Sequence, residues 1–164
     1  MRRFQSIARS PLIMALFMTL AVAGCASKKN LPNNAGDLGL GGSATPGSQQ
    51  DFTVNVGDRI FYDLDSSVIR ADAQQTLTKQ AQWLARYPQY SITVEGHSDE
   101  RGTREYNLAL GQRRAAAARD FLASRGVATN RMRTISYGKE RPVAACDDIS
   151  CWSQNRRAVT VLNQ

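Results

Sequence analysis

The sequence predicts an α/β (α+β) two-layer sandwich, one four-stranded sheet with two long helices on one face, in the chain order β-α-β-α-β-β. Three observations point to it. Two stretches in the second half repeat apolar residues at helical spacing. Short runs rich in β-branched and aromatic residues alternate with them. The residues from 26 to about 50 are rich in Gly, Ser, Asn, Pro and Ala, with few large apolar side chains, so the core must lie beyond them. A chain of 164 residues has room for one such domain plus appendages.

Each element has its own signal. Arg59 to Tyr62 reads as a short first strand. Asp72 to Tyr87 sets Ala73, Leu77, Ala81 and Leu84 at helical intervals, with Asp72 favoured near the helix start and Pro88 stopping the helix. Ile92 and Val94 mark the second strand. A long helix is predicted from about Thr103 to Arg125, with Tyr106, Leu110, Ala117 and Phe121 as its inner stripe and Gly126 as its C-terminal cap. Arg133 to Tyr137 and Arg157 to Leu162 complete the four strands. Successive β-α-β units favour right-handed crossovers, but the order of strands in the sheet does not follow from the sequence.

The N-terminus is read differently. Basic residues precede an apolar run from Leu12 to Ala23, which ends in Val22-Ala23-Gly24-Cys25. The run is short for a membrane span, which needs about 20 apolar residues, and small residues lead directly to a cysteine. Residues 1–24 are therefore expected to be a cleaved signal peptide and Cys25 a lipidation site. Resemblance to bacterial lipoproteins implies a diacylglyceryl thioether and an N-acyl chain on Cys25, with Ala26 permitting export to the outer membrane. Three chains hold where one is marginal, since each buried methylene contributes about 0.8 kcal/mol. Residues 25–50 are then a flexible tether with a reach of roughly 25–30 Å, and residues 51–164 are the folded domain.

Charge and cysteines exclude several classes. The net charge of +7 falls to +4 once Arg2, Arg3 and Arg9 leave with the leader. No lysine-rich run interleaved with aromatics is present, so no nucleic-acid partner is expected. Of the three cysteines, Cys146 and Cys151 remain after Cys25 is lipidated. An exported, oxidising context and a four-residue spacer favour a disulfide between them. Two thiols and the single histidine, His97, are too few for a metal centre, and neither metal nor cofactor is called for. His97-Ser98-Asp99 is not a hydrolase triad, because three successive residues on an extended segment cannot aim at one another. No catalytic residue is assigned.

The most informative stretch is Gly96-His97-Ser98-Asp99-Glu100-Arg101-Gly102, followed by Asn107, Arg113 and Arg114. It sets a loop carboxylate ahead of a helix that carries a guanidinium. An aspartate accepts from an ammonium and an arginine fork grips a carboxylate, so the pair suits an amino-acid head group. Asn107 and Arg114 are seven apart and return to one helix face about 10 Å along the axis. Arg113 lies about 100° away and is expected in solvent. Asp99 has a competing role as a cap of the helix N-terminus, and Asn107 one as a loop-to-helix hydrogen bond.

Val94 to Ala115 (VEGHSDERGTREYNLALGQRRA) resembles the signature of OmpA-like peptidoglycan-binding domains, most closely that of their lipoprotein members. Ile60 to Asp65 resembles the family's first strand and turn, Ser136 to Pro142 its later strand and turn, and Asn155 to Val159 its last strand. The resemblance spans about Asp58 to Val161 and implies that the sheet is mixed. It further implies that Asp99 receives the ammonium of diaminopimelate in a peptidoglycan stem peptide and that Arg114 takes its carboxylate. Asn107 is implied to orient the loop or bond the peptide. Backbone N–H groups at Asp63 and Leu64 are placed to help with the carboxylate, and Arg156 is a better candidate for the site than Arg157. The implied partners are peptidoglycan, TolB and, through TolB, inner-membrane Tol proteins such as TolA. Not every family member shares the cysteines of the 146–151 loop.

The resulting expectation is a non-enzymatic tether between outer membrane and peptidoglycan, serving envelope integrity and constriction at division. Rival readings are a lipoprotein enzyme acting on the wall, a tether outside the Tol system, and a stator component with a true membrane helix. Asp99→Ala or Arg114→Ala is expected to abolish peptidoglycan pull-down with little change in thermal midpoint.

Overall fold

A computed structural model describes residues 44–163. The signal peptide, Cys25 and the tether up to residue 43 lie outside the described residues. The chain runs α1 (Gln49–Asp51), β1 (Arg59–Phe61), α2 (Ala71–Arg86), β2 (Ser91–His97), α3 (Arg104–Ser124), β3 (Met132–Gly138), α4 (Ile149–Asn155) and β4 (Arg157–Asn163). The predicted frame is present. The short helices α1 and α4 are additions that periodicity does not reveal, since one or two turns carry no repeat.

The four strands form one mixed sheet in the order β1-β4-β2-β3. β4 runs antiparallel to both β1 and β2, while β2 and β3 are parallel. The last strand of the chain thus inserts between the first two. Alternation along the strands buries Ile60, Ile92, Val94 and Ala158 beneath the helices. Their neighbours Arg59, Phe61, Thr93 and Glu95 stay exposed or half-buried.

Helix α2 buries Ala73, Leu77, Ala81 and Leu84 as its spacing predicts, together with Gln80 and Trp83. The Gln80 amide is satisfied: it donates to the Gly57 carbonyl at 2.7 Å and accepts from the Thr160 hydroxyl at 2.8 Å. Helix α3 differs from expectation. Its buried face is Asn107, Leu110, Gly111, Arg114, Ala115, Ala118 and Leu122. Tyr106 is exposed, and Ala117 and Phe121 are only half-buried. Apart from Leu110, the predicted stripe is turned by one residue, about 100°. The true face mixes Leu110 and Leu122 with small residues, an asparagine and an arginine, and the aromatic Tyr106 and Phe121 lie on its flank.

Small residues are required there. A Cβ on Gly96 would overlap the Gly111 carbonyl, so α3 lies backbone to backbone on β2. That close approach brings Asn107 and Arg114, on either side of Gly111, under the loop that leaves β2.

Gly47, counted with the tether from sequence, is bonded to the domain. The Asp51 carboxylate accepts from the Trp83 indole at 2.8 Å and from the Gly47 N–H at 2.9 Å, and the Tyr90 hydroxyl donates to the Gly47 carbonyl at 2.9 Å. Phe52 is buried edge-on against Trp83, with ring centroids 5.0 Å apart. Among the described residues no helix is long and apolar enough to cross a membrane.

Candidate ligand-binding site

The loop after β2 begins with Ser98, whose N–H donates to the Gly138 carbonyl at 2.8 Å. This bond aims Asp99 towards the N-terminal half of α3. Asp99 does not cap that helix; Thr103 does, its hydroxyl accepting from the Tyr106 N–H at 3.2 Å. Asp99 is 6% exposed, and its carboxylate meets two arginines. Arg101 forks onto it from the wetter side, Nη2 to Oδ2 at 2.7 Å and Nε to Oδ1 at 3.1 Å. Arg156 reaches Oδ2 from the interior at 3.3 Å. Burial alone would push the Asp99 carboxyl up, but the bonds from Arg101 and Arg156 outweigh it and hold the group below its ordinary 3.8.

Arg114 is fully buried. Its Nε donates to the Ser66 carbonyl at 2.8 Å, Nη1 to that of His97 at 2.8 Å and Nη2 to that of Asp63 at 3.1 Å. A guanidinium has five N–H groups, so about two remain for a ligand. Tyr62 lies beneath it and donates its hydroxyl to Arg114's own carbonyl at 2.8 Å. Burial pushes the Arg114 guanidinium down to about 10, partly offset by Tyr62 and Asp99, and it stays cationic at neutral pH.

Asp99, Arg114, Asn107 and Leu64 line a single pocket of about 280 Å³, joined by Arg101, Tyr106 and Leu110. Asn107 is nearly inaccessible, and its amide donates to the carbonyls of Arg101 at 2.7 Å and Thr103 at 3.0 Å, which pins the loop. Asp63 contributes its carbonyl to Arg114, whereas its carboxylate points out to Arg70 at 3.3 Å. Leu64 forms one wall and is largely exposed. Asp65 turns the chain there in a left-handed conformation, φ 51°, and accepts from the Tyr106 hydroxyl. Arg156 stands behind Asp99, also donating to the Tyr62 carbonyl at 3.2 Å. Arg157 faces the other way and bonds the carbonyls of Asn155 and Arg141. Arg113 is exposed, as its position on the helix predicts.

Among the pocket residues that sequence reasoning does not assign to the site, Arg101 and Tyr106 matter most. Arg101 stood in the motif without a role, and Tyr106 was assigned to the core stripe. Cys146 and Cys151 are joined in a disulfide with their Cα atoms 5.6 Å apart, so the cluster they make with Asp148 offers no free thiolate to a metal.

A buried carboxylate and a buried guanidinium thus line one pocket of a domain built on a single mixed sheet. The chain matches the OmpA family over residues 61–157. It is 87% identical over 164 residues to the peptidoglycan-associated lipoprotein of Brucella melitensis, covering 99% of this chain and 98% of that one. The counterpart in Rhizobium meliloti is 80% identical over 161 residues, covering 98% and 92%. The crystal structure of the peptidoglycan-associated lipoprotein from Burkholderia pseudomallei matches with a TM-score of 0.67 and 41% identity, over 71% of this chain and 100% of that one. The chain belongs to the OmpA family, among the peptidoglycan-associated lipoproteins.

Proposed function

We propose that this chain is a lipid-anchored outer-membrane protein that grips peptidoglycan without covalent attachment, by binding diaminopimelate of the stem peptide. The observation that carries the reading is the meeting of Asp99 and Arg114 in one pocket. The ligand's ammonium goes to the Asp99 carboxylate, and its carboxylate to the N–H groups of Arg114 not already given to backbone. Both charges sit in a partly dry site, where an ion pair is weakened little by salt. Asn107 and Arg156 keep the loop and carboxylate in place, and Leu64 covers one side. Nothing is turned over: the chain is a binding protein, not an enzyme.

Residues 1–24 are removed as a signal peptide, Cys25 carries the acyl chains, and residues 25–50 connect the anchor to the domain of residues 51–164. The partners are peptidoglycan and TolB, with TolA and the other Tol proteins behind TolB, in an assembly that supports envelope integrity and draws the outer membrane inward at division. The relatives' shared name, peptidoglycan-associated lipoprotein, supports the wall and lipid parts of this reading.

The test is sedimentation of the full chain with purified peptidoglycan, with a soluble diaminopimelate tripeptide as competitor. Asp99→Ala should abolish co-sedimentation, because removing one partner of a desolvated charge pair costs about 2–5 kcal/mol of binding. Unchanged sedimentation would overturn the assignment of Asp99. Release of soluble muropeptides would replace the tether by a wall-cleaving enzyme, and failure of Cys25 to take up labelled fatty acid would remove the anchor.

A further inference from the structure

Asp99 is already occupied. In the free domain the carboxylate that should receive a ligand ammonium is forked by Arg101, with bonds of 2.7 and 3.1 Å. The two arginines on Asp99 are not equivalent. The Arg156 side chain is 10% exposed and lies inside, whereas that of Arg101 is 39% exposed, on the solvent side of the carboxylate and on the pocket wall. An ammonium entering from solvent meets Arg101 first.

Arg101 also has a second seat. Its guanidinium carbon lies 4.1 Å over the Trp152 ring, a cation–π contact. The Trp152 indole is itself fixed, donating to the Glu100 carboxylate at 2.8 Å. Trp152 belongs to α4, which starts inside the disulfide loop and is capped by the Asp148 side chain. The guanidinium is therefore held at the pocket mouth even when its bonds to Asp99 are given up.

We propose that Arg101 is a built-in occupant of the ligand site, exchanged on binding, and that this exchange selects amino-acid head groups over simple amines. A ligand with only an ammonium, such as a lysine side chain, replaces one cation on Asp99 by another and leaves Arg101 without an anion. A ligand with ammonium and carboxylate on one carbon brings an anion whose two oxygens Arg114 and the displaced guanidinium share, and the Trp152 seat keeps that guanidinium within reach. Charge-assisted fork bonds are the strong ones, so losing or regaining one is a large part of the balance. Arg101 is a specificity residue on this reading, which rests on the pocket being a diaminopimelate site.

The experiment measures binding of two soluble tripeptides to the full chain, L-Ala-γ-D-Glu-meso-diaminopimelate and the same peptide ending in L-Lys. Wild type should prefer the diaminopimelate peptide at least about tenfold, a difference of ~1.4 kcal/mol. Arg101→Gln should bind the lysine peptide about tenfold more tightly than wild type does and so collapse the preference, with the thermal midpoint shifted by no more than a few degrees. Trp152→Leu, which keeps the charge but removes the seat, should move the ratio the same way by less. A preference that stays put in Arg101→Gln, or falls only through weaker diaminopimelate binding, overturns the exchange while leaving the site assignment intact. If neither peptide binds wild type or Arg101→Gln, the site assignment falls and the exchange with it.

Discussion

Arg114→Ala should strongly destabilise the domain, contrary to the sequence-based expectation of an unchanged thermal midpoint. Arg114 is fully buried, and its guanidinium ties together three backbone carbonyls, those of Asp63 and Ser66 in the turn after β1 and of His97 at the end of β2. The His97 carbonyl is buried and is left without this partner once the side chain is gone, and those of Asp63 and Ser66 lose the cation that holds their turn against β2. A hydrogen bond to a charged group contributes roughly 1.5–3 kcal/mol. Three bonds in one network do not add fully, and removing a buried cation relieves some desolvation. We therefore expect a loss of about 4 kcal/mol, a large part of the 5–15 kcal/mol typical of a domain. Urea unfolding followed by far-UV circular dichroism measures it directly. Arg114→Lys keeps a cation but loses the planar fork and should fall between the two proteins. A loss below about 1 kcal/mol in Arg114→Ala would refute the reasoning, since it would mean that the three carbonyls find other partners at no cost.

The other expected outcomes are these. Asp99→Asn keeps the shape of the side chain and should abolish peptidoglycan sedimentation while shifting the thermal midpoint by only a few degrees, which differential scanning calorimetry would check. His97 is 2% exposed and neither ring nitrogen has a hydrogen-bond partner; burial, with Arg157 and Arg141 nearby, pushes it from 6.5 down to about 4. Its unfolded form takes a proton first, so stability should fall as pH drops from about 6.5 to about 4, by about 3 kcal/mol in all. Asp99, held below 3.8, loses its stabilising contribution only at lower pH, so urea midpoints between pH 7 and 4.5 isolate the histidine, and His97→Asn should flatten them. Reducing the Cys146–Cys151 bond frees a small ring and should cost about 2 kcal/mol in the chain-entropy model, read by urea unfolding with and without reductant. Gly111→Ala, which would drive a methyl into the Ser136 hydroxyl and the Gly96 backbone, should lower the thermal midpoint sharply.

The parts of this structure legible in the sequence share a physical cause. Helix α2 buries Ala73, Leu77, Ala81 and Leu84, an apolar set whose period is written in residue type. Helix α3 does not obey that rule, because its inner face serves two purposes. Gly111 and Ala115 let it approach β2, and Asn107 and Arg114 face inward to hold the loops. Hydrophobic periodicity therefore chose Tyr106, Ala117 and Phe121, one residue off the buried face, while the family motif identified Arg114 on grounds of chemistry. Strand order is invisible for another reason: β4 pairs with β1 and β2 from the far end of the chain, and no local signal carries a register such as Ile60 against Ala158. Arg101 illustrates the third kind of gap. Its place in the motif is plain, but its stacking on Trp152, 51 positions later on a helix too short to announce itself, is not. A guanidinium next to a carboxylate in sequence reads as one more solvated charge. Only the aromatic ring beneath it supports the exchange proposed for Arg101, so an element of this kind is legible only after the fold has brought α4 to the pocket.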